Sequence, residues 1–229
     1  MTSENNTQIV NLSKLNSSST SKFGGKASNL GELINSGINV PEGFAINTDL
    51  YFDFLNKSNL KEKITNLIQN SNSLKINELQ KLSNQIKELF NKTQFDTDII
   101  STIEKEYKRI GSSRVAVRSS ATSEDSMEAS FAGQQNTYLN IIGFNSLIES
   151  IKACWASVFE ARAIFYRNSQ NIAHFDSGMS VVIQQMVQPD VSGVMFTLEP
   201  TTLDPDKIVI EAAFGLGEAV VSGIVTPDY

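Results

Sequence analysis

Cysteine and histidine are almost missing from these 229 residues, with Cys154 and His174 the sole example of each. One cysteine cannot close an intrachain disulfide, and a single His and Cys cannot build a dedicated His/Cys metal centre. A reducing, cytoplasmic setting is therefore expected. Long apolar runs are also missing: none approaches the length that crosses a bilayer, and the first six residues are polar where a signal peptide would be apolar. Nor is there a surplus of positive charge. A net charge of −6 argues against a nucleic-acid binder, which would carry a basic face.

A hydrophobic content of 40% against 19% charged residues fits a globular chain with a substantial core. Charge is unevenly placed. Residues 1–112 hold 13 basic and 12 acidic side chains, whereas residues 113–229 hold 6 and 13. An anionic ligand in the acidic half would need local positive charge and a divalent cation.

The element pattern divides similarly. Residues 1–20, rich in Ser, Thr and Asn, read as a mobile tail, with Ile9–Leu12 as a possible short edge strand. Residues 21–112 read as a mainly helical subdomain. Leu30, Leu33 and Ile34 form one apolar stripe behind Gly24-Gly25-Lys26, Gly37 is a helix stop, and Asn47 or Thr48 can cap the next helix. Further stripes run through Leu60, Ile64, Leu67 and Ile68, through Ile76, Leu79, Leu82, Ile86, Leu89 and Phe90, and through Ile99, Ile103, Tyr107 and Ile110. Residues 113–229 read as β-rich, with strands from Arg114, over 137–142, and near 180–187, 192–198 and 207–213. One long helix is inserted, opened by Ser146 with capping-box spacing and burying Ile151, Trp155, Val158, Phe159 and Phe165. The order predicts an α+β fold. Cys154 falls in this apolar helix as an inert buried thiol, and His174 falls in a polar connection at the surface.

The chemistry concentrates in Arg114–Thr137. A β-branched strand ends in Arg118 and runs through Ser119, Ser120, Thr122, Glu124 and Asp125 into the small-residue loop Ala129-Ser130-Phe131-Ala132-Gly133-Gln134. An arginine at a strand end followed by a loop rich in backbone N–H groups suits a polyanion. A salt bridge at a sheet edge is the plainer role for Arg118, and turn or capping the plainer role for the hydroxyls. Lys26 follows two glycines at a helix start, where an ammonium can join free N–H groups in holding phosphate; a simple turn is the alternative. The P-loop spacing is absent. Gln184 and Gln185 lie on one strand and face opposite ways, so one of them could meet a base edge. Glu211 could bond a ribose or serve a structural ion pair.

Taken together these segments resemble the nucleotide-binding domain of the phosphoenolpyruvate synthase and pyruvate phosphate dikinase family, which includes the rifampin phosphotransferases. The resemblance spans about residues 20–229. It is carried by Gly24-Gly25-Lys26 through Leu33, by Val40-Pro41-Glu42-Gly43-Phe44, by Arg118-Ser119-Ser120-Ala121-Thr122, by Ser130–Gln134, by Ser192–Thr197 and by Glu211–Glu218. It implies an ATP-grasp-like fold and ATP as ligand. It also implies that Lys26 and Arg118 hold phosphates, that Gly133 and Thr137 belong to a loop closing over the triphosphate, and that Gln184 contacts the base.

Family domains continue past Val225-Thr226-Pro227-Asp228-Tyr229 into a segment whose Glu, Gln and Arg hold magnesium and the terminal phosphates. The sequence therefore reads as incomplete at its C-terminus, with the Mg2+ ligands beyond residue 229. A phosphohistidine domain and a pyruvate-binding domain are the partners that the resemblance implies, the overall reaction turning pyruvate and ATP into phosphoenolpyruvate, AMP and phosphate. A rifampin phosphotransferase is the alternative within the family. A truncated, non-catalytic nucleotide-binding or interaction module is the alternative outside it. A purely structural helical protein leaves the glycine and arginine motifs unexplained. Missing strands would expose an edge or an apolar face, so self-association is expected as well.

Overall fold

The computed structural model describes residues 8–70, 75–121 and 137–223. Two compact units divide at Met186/Val187. The boundary read from the sequence at residue 112 falls inside the first of them, because strands from both sides of it share one sheet. That antiparallel sheet joins β1 (Ile9–Asn11), β2 (Gly43–Ile46), β3 (Val115–Ala121), β4 (Thr137–Ile141) and β5 (Met179–Gln185) in the order β1-β2-β5-β3-β4. The expected tail is packed from residue 8 onward: β1 is an edge strand, and Leu12 and Leu15 are buried.

Alternation gives the sheet two unlike faces. Phe44, Ile46, Val115, Val117, Val181 and Ile183 enter the main core. That core is built with α2 (Thr48–Lys57), α3 (Leu60–Gln69), α4 (Ile76–Lys92), α5 (Thr97–Arg109) and α6 (Phe144–Ala156). Of the apolar stripes, Leu60, Ile64, Leu79, Leu82, Ile86, Phe90, Ile103, Tyr107 and Ile110 are buried as their helical period demands, whereas Ile76, the first residue of α4, is exposed. An aromatic cluster of Tyr51, Phe54, Phe95 and Trp155 sits at the centre, with the Phe54 and Phe95 rings 4.8 Å apart. Asn47, not Thr48, caps α2 by accepting from the Leu50 N–H at 3.0 Å.

The opposite face carries Ala45 and Val182, covered by Phe23 and Ala27 of α1 (Thr20–Asn35). Of the stripe expected on α1, Leu30 and Ile34 pack here, whereas Leu33 faces solvent.

The inserted helix is two helices. α6 starts after Gly143, which has φ 86°, so Ser146 lies within it and caps nothing. The chain then breaks at Glu160, which is extended, before α7 (Ala161–Gln170). The break is stabilised from outside the local sequence: the Arg167 guanidinium donates to the Val158 carbonyl, and Lys87 pairs with Glu160 at 2.6 Å. Phe165, expected inside, is exposed on α7. The second unit is an antiparallel ribbon of β6 (Val191–Phe196) and β7 (Val209–Phe214), followed by the single turn α8 (Glu218–Val221).

Candidate functional site

The α1-covered face of the sheet gathers most of the candidate residues. Cross-strand partners in an antiparallel pair share a face. Arg118 stands opposite Val182 on one side and Thr137 on the other, which sets Ala45, Val182, Arg118 and Thr137 in one row. The adjacent row holds Gly43, Gln184 and Ala116, and beyond Arg118 come Ser120 and Ser180. One face therefore presents a guanidinium, a threonine hydroxyl, a buried amide and two serine hydroxyls under the start of α1.

β3 lies between β5 and β4, so Arg118 is on an inner strand and not at a sheet edge. It is half-buried, and among the described residues it makes no ion pair or side-chain hydrogen bond. A guanidinium held this way can receive an anion, since its five donors are fixed in a plane and partly shielded from water.

Lys26 is brought over this face by a break in α1. Gly24 has φ 75° and ψ 168°, so a new helical segment starts just behind it with Lys26 in its first turn. Gly24 rests directly on β3, and a Cβ there would fall 2.4 Å from Ser120 Oγ and 2.8 Å from the Ala121 carbonyl. The glycine pair thus does more than turn the chain: it lets the helix start touch the strand that carries Arg118.

Gln184 is buried, and its Nε2 donates to the Pro41 carbonyl at 3.2 Å, leaving the Oε1 acceptor and a second N–H for other partners. Gln185 faces the other way and donates to the Ile110 carbonyl at 2.6 Å. Ser119 and Ser120 are buried strand residues, where a turn or cap was expected, because β3 continues its pairing with β5 through this segment, opposite Val181 and Ser180. A run of hydroxyl residues reads locally as a turn; only the pairing reveals a strand.

Thr122, Glu124, Asp125 and the loop through Gly133 and Gln134 lie outside the described residues, as does the Val225–Tyr229 segment. Glu211 lies on β7 opposite Val194 in the second unit, is half-buried, and makes no ion pair among the described residues.

Two features stand apart from the face. His174 is half-buried, not a surface residue: Nδ1 accepts from Arg167 Nε at 3.3 Å, and Nε2 lies 2.9 Å from Asn168 Oδ1. Burial, with the Arg167 charge adding to it, pushes the imidazole down to about 4. Cys154 is buried, and burial raises its thiol well above the usual range, as an inert core residue requires. A crevice of about 130 Å³ between Phe54 and Phe95 lies on the helical side of the sheet, where Lys57 pairs with Asp96 at 3.0 Å. It holds none of the candidate residues. No described helix is long and apolar enough to cross a membrane.

Comparison with known proteins identifies the family. The profile of the family described as "Pyruvate phosphate dikinase, AMP/ATP-binding domain" matches residues 20–229. A probable phosphoenolpyruvate synthase of Staphylothermus marinus is 46% identical over 231 residues, covering 96% of this chain and 27% of the relative. One from Methanothermobacter thermautotrophicus is 46% identical over 211 residues, covering 90% of the chain and 31% of the relative. The phosphoenolpyruvate synthase of Aquifex aeolicus is 42% identical over 217 residues, covering 90% and 25%. The chain thus spans about a quarter to a third of the length of these relatives. On the profile, the relatives and the α+β fold with its ATP-grasp-like character, the chain belongs to the family of the pyruvate phosphate dikinase AMP/ATP-binding domain.

Proposed function

We propose that the α1-covered face is the nucleotide site and that the chain is the ATP-binding part of a phosphoenolpyruvate synthase. Arg118 and Lys26 hold the phosphates, Thr137 adds a hydroxyl donor, Gln184 meets the base, and Gly133 lets the loop backbone approach the triphosphate. The observation that carries this reading is the half-buried Arg118, on an inner strand opposite Thr137 and without an acidic partner among the described residues. A guanidinium so placed has its binding geometry set before the anion arrives, and phosphoryl transfer depends chiefly on positioning and charge neutralisation.

Among the described residues no group of three or more His, Cys, Asp or Glu side chains is arranged to hold a metal ion. Magnesium enters this reading as the counter-ion of the ATP phosphates. In the longer protein, ATP would phosphorylate a histidine of a separate domain, and a pyruvate-binding domain would receive that phosphoryl group in the cytoplasm. The relatives' names support pyruvate over rifampin as acceptor. The exposed Val191, Met195, Ile210 and Phe214 of the ribbon support self-association of the chain taken alone.

The test is ATP-dependent protein phosphorylation in the longer protein. Arg118→Ala should abolish it, and an Arg118→Ala protein labelled at the wild-type rate would end the assignment.

A further inference from the structure

We infer that Gly24 and Ser120 are a positioning pair: their contact fixes the start of the second α1 segment on β3 and thereby sets Lys26 relative to Arg118 for a polyphosphate. The inference rests on the nucleotide-binding reading above.

The contact is unusually close. A Cβ on Gly24 would lie 2.4 Å from Ser120 Oγ, 2.7 Å from the Ser120 carbonyl and 2.8 Å from that of Ala121. Two of those three atoms are backbone of β3 residues that pair with Ser180 and Met179 of β5, so they cannot swing aside as a side chain can. Gly24 also has φ 75°, in the left-handed region that favours glycine. Both requirements, space and dihedral, are met by glycine alone.

The surroundings are equally small. Ala27 and Ser28 of α1 and Ser120 and Ser180 of the sheet are fully or almost fully buried here, and the hydroxyls of Ser28, Ser120 and Ser180 have no hydrogen-bond partner among the described residues. Small size at the contact is what these residues share. The helix start is therefore located by contact of main chain on main chain. Lys26 follows Gly24 by two residues, and Ser120 follows Arg118 by two on the same face of β3. The Gly24–Ser120 contact is thus a short rigid link between the two cationic residues. A shift of about 1 Å in such a link can separate groups that must grip one anion together.

The experiment is calorimetric titration of magnesium ATP into the wild-type chain, Gly24→Ala, Ser120→Val, Lys26→Ala and the Gly24→Ala/Lys26→Ala double variant. Thermal unfolding of each sample verifies that it is folded. Ser120→Val adds bulk from the sheet side while keeping a good strand residue, so it makes the test independent of the dihedral strain at residue 24. Loss of one charge-assisted phosphate bond corresponds to about tenfold or more in Kd. Lys26→Ala, Gly24→Ala and Ser120→Val should each weaken binding by about that factor. The double variant should be within about twofold of Lys26→Ala, because a positioning residue has nothing left to position. A general packing defect would instead add to the lysine effect. Wild-type affinity in the folded Gly24→Ala and Ser120→Val proteins, or full additivity in the double variant, overturns the inference while leaving the site in place. A folded wild-type chain that does not bind overturns the nucleotide reading and the positioning role with it.

Discussion

Acidifying the protein from about pH 7.5 to about pH 4.5 should unfold it more readily through one identifiable group, His174. Arg167 is buried, and its Nε donates to His174 Nδ1. That nitrogen must therefore keep its lone pair, and the ring proton sits on Nε2, facing Asn168 Oδ1 at 2.9 Å. A second proton would break the Arg167 bond and set two cations side by side. Burial first, and the Arg167 charge with it, holds the folded imidazole down to about 4 from its ordinary value near 6.5. Between those two values the unfolded chain binds a proton that the folded chain refuses, so stability is lost as pH falls through this window. The full difference corresponds to about 3 kcal/mol, and solvent screening of a half-buried ring lowers the realised loss to about 1–2 kcal/mol. Urea unfolding of wild type and His174→Gln at both pH values isolates this contribution, because the carboxylates common to both proteins cancel. With one histidine in the sequence, its ring proton resonance reports the titration without ambiguity. A midpoint near 6.5 for that resonance, or equal acid sensitivity in His174→Gln, would refute the reasoning.

Two stability predictions address the elements that hold the site's two sides. Gly31→Ala would put a Cβ 2.2 Å from the Leu15 carbonyl, so α1 should lose its seat on the N-terminal segment, with a cost of about 1–3 kcal/mol in denaturant unfolding. Asn47→Ala removes the α2 cap on Leu50 N–H and should cost about 1 kcal/mol, with little effect on ATP affinity because α2 packs on the opposite face.

How far the fold could be read from the sequence depended on whether its cause was local. The stripes of α4 and α5 and the Asn47 cap follow from spacing and side-chain chemistry within one or two turns, and they form as that reading requires. Gln184 and Gln185 diverge because a strand alternates. The break between α6 and α7 is held by side-chain contacts, Arg167 of α7 donating to the Val158 carbonyl and Lys87 of α4 pairing with Glu160, which apolar spacing does not announce. The pairing of β2 with β5 spans well over a hundred residues, so two short strands far apart in the chain gave no sign of sharing a sheet. In the proposed site, Arg118 and Lys26 stand out in the sequence because strand, glycines and charge coincide in short motifs. The role of Gly24 does not, since it lies in what the glycine avoids, the main chain of Ser120 and Ala121.

The most direct test of the nucleotide site is calorimetric titration of magnesium ATP into the folded 229-residue chain, with Arg118→Ala as control. Saturable binding that Arg118→Ala weakens by about tenfold or more is the expected result. Binding that is unchanged in a folded Arg118→Ala chain, or no binding by the folded wild type, would contradict the account.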